Sequence, residues 1–214
     1  MSGMSLEDLE KDLELQRIDG LLRLASIASN SYDGFKSFIR KRLDKAIKKF
    51  ESQTNKMKYE FGEDALTLYL MALLEDDTLG LTAAHEVNER GHCDITISFG
   101  DFTWHGEAKK HTGGYAYLFK GYGQLTERYS TGTETAKSGG LIIYTDNKNC
   151  LAMMDKWKAY VYKCAPRIHV NKDFYIKSCP KNKLVLVSNH THTVSGLDYE
   201  VILYPVNFNI KQLT

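Results

Sequence analysis

Residues 93–109 limit what this chain can fold into more than any other stretch. Two alternating runs, Cys93-Asp94-Ile95-Thr96-Ile97-Ser98-Phe99 and Phe102-Thr103-Trp104-His105-Gly106-Glu107-Ala108-Lys109, flank the dipeptide Gly100-Asp101. Alternation on both sides of a glycine-first dipeptide predicts a β-hairpin with a two-residue turn. The turn sets the register: with Phe99 opposite Phe102, Ile97 meets Trp104, Ile95 meets Gly106 and Asp94 meets Glu107. One face then carries Ile95, Ile97, Phe99, Phe102, Trp104 and Ala108, and the other carries Asp94, Thr96, Ser98, Thr103, His105, Glu107 and Lys109. The first is expected to be core and the second to be open to chemistry.

Directly opposed carboxylates on a strand pair sit about 5 Å apart at Cβ and repel one another unless a cation lies between them. An all-oxygen site suits Mg2+, with Mn2+ as a substitute, held by one or two carboxylates together with a phosphate. Lys109, two residues beyond Glu107 on the same face, is placed to hold an attacking water or the charge developing on a phosphate. An ordinary hairpin with a solvated polar face is the other reading of these residues.

An acid at the start of one strand, then acid-x-Lys on its partner, resembles the PD-(D/E)XK nuclease superfamily, with Asp94 as the first acid and Glu107-Ala108-Lys109 as the rest of the motif. Its flanks are similar too. Gly121-Tyr122-Gly123-Gln124-Leu125-Thr126-Glu127-Arg128-Tyr129 resembles the helix that in this family carries a Gln, here Gln124. The family core opens with a helix bearing a Glu, and the stretch from Gly62 to Leu74 supplies Glu63, with Glu60 as a competitor. The likeness covers roughly residues 58–146, and His92-Cys93 stands where the motif's name has a Pro.

The resemblance implies an α/β restriction-endonuclease-like core, in the order α-β-β-β-α-β with a mixed central sheet, behind an N-terminal helical extension. It also implies Mg2+ held by Asp94, Glu107, Glu63 and the backbone carbonyl of Ala108, with Lys109 and Gln124 completing the catalytic set. The expected reaction is hydrolysis of phosphodiester bonds, in DNA rather than RNA, by an endonuclease of restriction or phage-defence type acting as a homodimer. The alternatives are a ribonuclease with the same site, or a catalytically silent module that binds nucleic acid or protein.

A net charge of +1 over 214 residues makes no global case for a nucleic-acid partner, so that case rests on local charge. From Lys36 to Lys58 the chain carries Lys36, Arg40, Lys41, Arg42, Lys45, Lys48, Lys49, Lys56 and Lys58 against Asp44 and Glu51 alone. Phe35, Phe38, Ile39, Leu43, Ala46, Ile47 and Phe50 run through the same stretch at helical spacing, so an amphipathic helix with a basic outer face is expected. Such a face either binds phosphates or is simply solvated. After the hairpin, Tyr117, Lys120, Gln124 and Arg128 share one helical stripe; Lys120 and Arg128, with Lys110 and His111 just past the strand, are candidate contacts to a nucleic-acid backbone.

With 43% hydrophobic residues the chain is long enough for one sizeable core. Residues 1–55 read as an N-terminal helical region and 56–214 as the nuclease-like domain. Helices are expected from Ser5 to about Ile18, with Gly20 to Tyr32 continuing or turning, from Asp33 to Phe50, from Gly62 to Leu74, from Tyr115 to Tyr129 and from Cys150 to Cys164. Strands are expected over Thr82–Asn88, the hairpin, Leu141–Tyr144, Leu184–Ser188 and Tyr199–Tyr204. The N-terminal helices are candidates for dimerisation or for docking a regulatory protein. Four separated cysteines without metal-ligand spacing are expected to stay reduced. No apolar run is long enough for a membrane span, so a soluble, cytoplasmic protein is expected. His190-Thr191-His192 reads as a polar loop, because two histidines without a third ligand make no metal site. No Gly-x-Ser-x-Gly elbow or P-loop occurs.

Overall fold

The computed structural model describes residues 12–54, 58–75, 82–84, 87–88, 92–129, 131–168 and 173–209. Among the described residues three helices come first: α1 (Leu13–Asn30), α2 (Tyr32–Glu51) and α3 (Glu63–Leu74). Five short strands follow, β1 (Thr82–Ala84), β2 (Val87–Asn88), β3 (His92–Cys93), β4 (Ile95–Phe99) and β5 (Phe102–Lys110). Helix α4 (Tyr115–Gly123) runs directly into a π-helical turn, Gln124–Tyr129. Strand β6 (Ser138–Thr145), helix α5 (Cys150–Cys164) and strands β7 (Tyr175–Cys179), β8 (Asn182–Thr191) and β9 (Asp198–Asn207) follow among the described residues.

Seven strands form one sheet in the order β1-β4-β5-β6-β9-β8-β7, and β2 pairs with β3 apart from it. The three central strands β5, β6 and β9 are parallel, while the outer pairings are antiparallel. The protein is thus α/β with a mixed sheet. All eight residues of β6 are buried, as a strand covered on both faces requires. Helices α2 and α3 pack one face through Phe35, Leu43, Phe50 and Leu70 against Trp104, Ile142 and Tyr204. Helices α4 and α5 cover the other, where Leu118, Tyr122 and Trp157 meet Leu141, Ile143 and Leu203.

The hairpin register is as expected: Ile95 pairs with Gly106, Ile97 with Trp104 and Phe99 with Phe102, about a turn in which Gly100 has φ +57°. Its apolar face enters the core with α2 and α3. The polar face departs from expectation. Thr96, His105, Glu107 and Lys109 are buried rather than solvated, because α4 and its π turn lie over that side of β5.

Helix α2 is bounded by Ser31, whose Oγ accepts the Gly34 amide, and all seven predicted apolar positions are buried. Its first residue is tied to the sheet: the Tyr32 hydroxyl donates to the Thr103 carbonyl (3.1 Å) and accepts from the Ser138 amide (2.9 Å). Its apolar face lies in the same core as the sheet. The helix expected from Ser5 begins outside the described residues; the described part continues unbroken to Asn30.

Other elements differ in detail. The strand expected over Thr82–Asn88 is two pieces, β1 in the main sheet and β2 paired with β3, with residues 85 and 86 outside the described ones. Strand β7 was not foreseen. His190 and Thr191 belong to β8 and not to a loop, and His190 and His192 are both buried against the Tyr199 ring. All four cysteines are free. Among the described residues, no helix is long and apolar enough to cross a membrane.

Candidate active site

The acid residues come from three elements and meet at the carboxyl-terminal end of β5. Strand β4 begins at Ile95, so Asp94 stands in a bend just before it rather than opposite Glu107 in the ladder. Its Oδ2 accepts the Ala108 amide at 2.8 Å, so a side chain replaces the missing strand partner. Glu63 is the first residue of α3, where the helix dipole favours an anion. Its Oε2 accepts the Lys110 amide at 2.7 Å, which ties the helix start to β5. Glu107 points from the middle of β5 beneath α4 and is 1% exposed.

Lys109 binds these groups together. Its Nζ lies 2.7 Å from Glu107 Oε1, 3.1 Å from Glu63 Oε1 and 3.5 Å from Asp94 Oδ2, and it donates to the Ala108 carbonyl at 2.8 Å. Helix α4 reaches this close only because residue 121 is glycine. A Cβ there would stand 2.9 Å from Lys109 Cγ and 3.2 Å from Glu107 Cγ. One turn earlier, the Tyr117 hydroxyl donates to Glu63, 3.0 Å from Oε1 and 3.3 Å from Oε2.

Three carboxylates against one ammonium leave a net charge of −2 when all four are ionised. Burial pushes the Glu107 carboxyl up; Lys109 pulls it down, Asp94 and Glu63 push it up again, and the balance is about 7. Burial alone would lower the Lys109 ammonium, but Glu107, Asp94 and Glu63 outweigh burial and raise it, so Lys109 is firmly protonated. The second Glu107 oxygen, Oε2, is buried without a hydrogen-bond partner. An orphaned anionic oxygen and an uncompensated charge are what a divalent cation would correct.

Among the described residues, no group of three acidic, His or Cys side chains stands as it is at metal-holding geometry. The carboxylates converge on the Lys109 ammonium instead. The donor set that the ammonium gathers, three carboxylates and one carbonyl, is nevertheless all oxygen and fits Mg2+ or Mn2+.

The other expected site residues are placed unevenly. Gln124 does not enter the acid cluster; its Nε2 donates to the Tyr129 hydroxyl at 2.8 Å. The π turn brings these two residues together, because its i→i+5 closure sets residues five apart on one face. Tyr129 in turn lies within electrostatic reach of Glu107. Lys120 and Arg128 are exposed, with the Arg128 guanidinium 5.9 Å from the Tyr129 ring centre. Lys110 is half-buried and already partnered: its ammonium donates to the Tyr59 and Phe61 carbonyls and lies 4.4 Å from the Tyr59 ring centre. His111 is 6% exposed, stacks on Tyr115 and is shifted toward the neutral form by burial, so it offers no cation to a substrate. His105 is also buried, with Nδ1 3.4 Å from the Thr96 hydroxyl. On α2, Lys36 and Arg40 pair with Glu200 and Arg42 donates to the Leu74 carbonyl, while Lys41, Lys45, Lys48 and Lys49 are exposed.

Gly121 and Tyr129 were missed as site residues. Gly121-x-Gly123 inside a helical pattern is a recognisable sign of close approach, whereas nothing marks a π turn in advance. The fold and site together define an α/β protein with an acid and lysine cluster at the end of a central parallel strand. Comparison of the chain with protein-family models, with curated proteins and with solved structures gave no match.

Proposed function

We propose that this protein is a metal-dependent nuclease of PD-(D/E)XK type that hydrolyses phosphodiester bonds of DNA, with its active site at Asp94, Glu107, Lys109 and Glu63. The observation that carries this reading is the convergence of three carboxylates and the Ala108 carbonyl on one lysine ammonium, within 2.7 to 3.5 Å. A purely structural ion-pair network has little reason to gather three carboxylates around one ammonium and to bury one of them, Glu107, with an unpartnered oxygen, because desolvating a charge costs on the order of several kcal/mol. The order α3-β1-β4-β5-α4-β6, with β4 antiparallel and β6 parallel to β5, supports a restriction-endonuclease-like core.

Asp94, Glu107, Glu63 and the Ala108 carbonyl would hold Mg2+ or Mn2+. Such an ion, when bound, neutralises phosphate charge and makes water a nucleophile at neutral pH. Lys109 then leaves the carboxylates and donates hydrogen bonds from Nζ to the attacking water or to a phosphate oxygen. Its raised pKa makes it a donor and not a base. The Ala108 amide anchors Asp94 and the Lys110 amide anchors one oxygen of Glu63, so both carboxylates are partly ordered before reaction. Exposed Lys41, Lys45, Lys48 and Lys49 on α2, with Lys120 and Arg128, are among the cations that a nucleic-acid backbone could meet.

The test is cleavage of supercoiled and linear plasmid with Mg2+, with Mn2+ and with EDTA, for the wild type and for Asp94→Ala, Glu107→Ala and Lys109→Ala. Nicking and linearisation that need the metal, and that fall by at least about 10²-fold in each variant, are expected. Folded wild-type protein that leaves DNA intact with both metals overturns the DNA reading, and an RNA substrate run in parallel detects the ribonuclease alternative.

A further inference from the structure

We propose that Tyr117 is a positioning residue of this site, whose hydroxyl holds the Glu63 carboxylate in the orientation that a divalent cation needs. This inference rests on the hydrolase reading and adds a residue to it.

Glu63 is the acid most in need of such a support. Asp94 and Glu107 lie on either side of the β4–β5 hairpin, but Glu63 comes from another element, at the exposed start of α3. Its cap residue, Gly62, provides no side-chain hydrogen bond. Three donors fix the carboxylate instead: the Lys110 amide on Oε2 at 2.7 Å, the Lys109 ammonium on Oε1 at 3.1 Å and the Tyr117 hydroxyl, nearer to Oε1 at 3.0 Å than to Oε2 at 3.3 Å. When Lys109 leaves to meet a substrate, the Lys110 amide and Tyr117 remain. An amide on one oxygen lets a carboxylate rotate about its own axis; a second donor on the other oxygen stops that rotation.

Tyr117 reaches Glu63 because Gly121, one turn further along α4, lets the helix lie against Lys109 and Glu107. The ring is 46% exposed and stands 5.5 Å from Lys109 Nζ, so it borders the mouth of the cluster and not the core. Removing the hydroxyl therefore leaves core packing intact.

The experiment is titration of the metal-stripped full chain with Mn2+ by calorimetry, for wild type, Tyr117→Phe, Glu63→Ala and the double variant. Thermal midpoints without metal serve as the check on folding. Tyr117→Phe is expected to weaken Mn2+ binding about tenfold with an unchanged midpoint, and to add nothing in the Glu63→Ala background. Wild-type affinity in Tyr117→Phe, or an equal loss with and without Glu63, overturns the role of Tyr117 while the hydrolase reading stands. A wild type that binds no Mn2+ overturns both.

Discussion

Glu107 is held where its own charge is least favoured, buried under α4 with two further acids nearby, and its carboxyl titrates at about 7 instead of the ordinary 4.5. A raised folded-state pKa contributes stability that is complete below 4.5 and is lost as pH rises through about 7. Metal-free wild type should therefore weaken between pH 5 and pH 8. Glu107→Gln keeps the shape, leaves Lys109 with Asp94 and Glu63, and has no proton to lose. In EDTA, the thermal midpoint of Glu107→Gln relative to wild type should rise from pH 5 to pH 8 by roughly 4–8 °C, equivalent to about 2 kcal/mol for a chain of this size. A difference independent of pH would show that Glu107 is ionised throughout. The pair of Glu107 and Lys109 was legible in the sequence, because a hairpin's period of two fixes which side chains share a face. The detailed place of Asp94 was not, since whether a residue continues a ladder or bends out of it depends on what its side chain can reach.

At the scale of elements, the site depends on how closely α4 lies on β5. Gly121→Ala should gain up to about 1 kcal/mol in helix propensity. That gain loses to the contact at 2.9 Å with Lys109 Cγ, since overpacking costs about 1–3 kcal/mol. Net destabilisation is expected, together with a fall in cleavage of about 10²-fold as Lys109 is displaced. Gly20→Ala in α1, where a Cβ meets nothing within 4 Å, is the control and should stabilise. Urea unfolding and plasmid cleavage read both effects; an active, stabilised Gly121→Ala would remove close packing from the account. The elements themselves were mostly readable. Strong helical periodicity located α2 and α5, and the glycine turn located β4 and β5. Strand β7 escaped because Tyr175-Ile176-Lys177-Ser178-Cys179 is short and is held by its pairing with β8 and not by its own pattern. The π turn escaped because the residues of Gln124–Tyr129 suit an α-helix equally well and carry no mark of i→i+5 closure.

For the molecule as a whole, α2 is the element whose importance the sequence understated. The sequence marks an amphipathic helix but not what it packs against; Phe35, Leu43 and Phe50 are each 0% exposed in the same core as Trp104 and Tyr204. Removal of residues 1–51 should abolish cooperative unfolding, as followed by circular dichroism; a truncated chain that still melts sharply would show the sheet to be self-sufficient. The strand order has a further result for synthesis. Strand β9 lies between β6 and β8, so an interior position of the sheet is filled by the last of the described strands. A nascent chain that has not yet released residue 207 holds two apolar strand edges open with no partner between them, and a chain cut before residue 198 keeps them open for good. A chain halted there is therefore open to self-association along those edges, and the sheet that carries the acid and lysine cluster is complete only once translation has passed the strand that closes the gap.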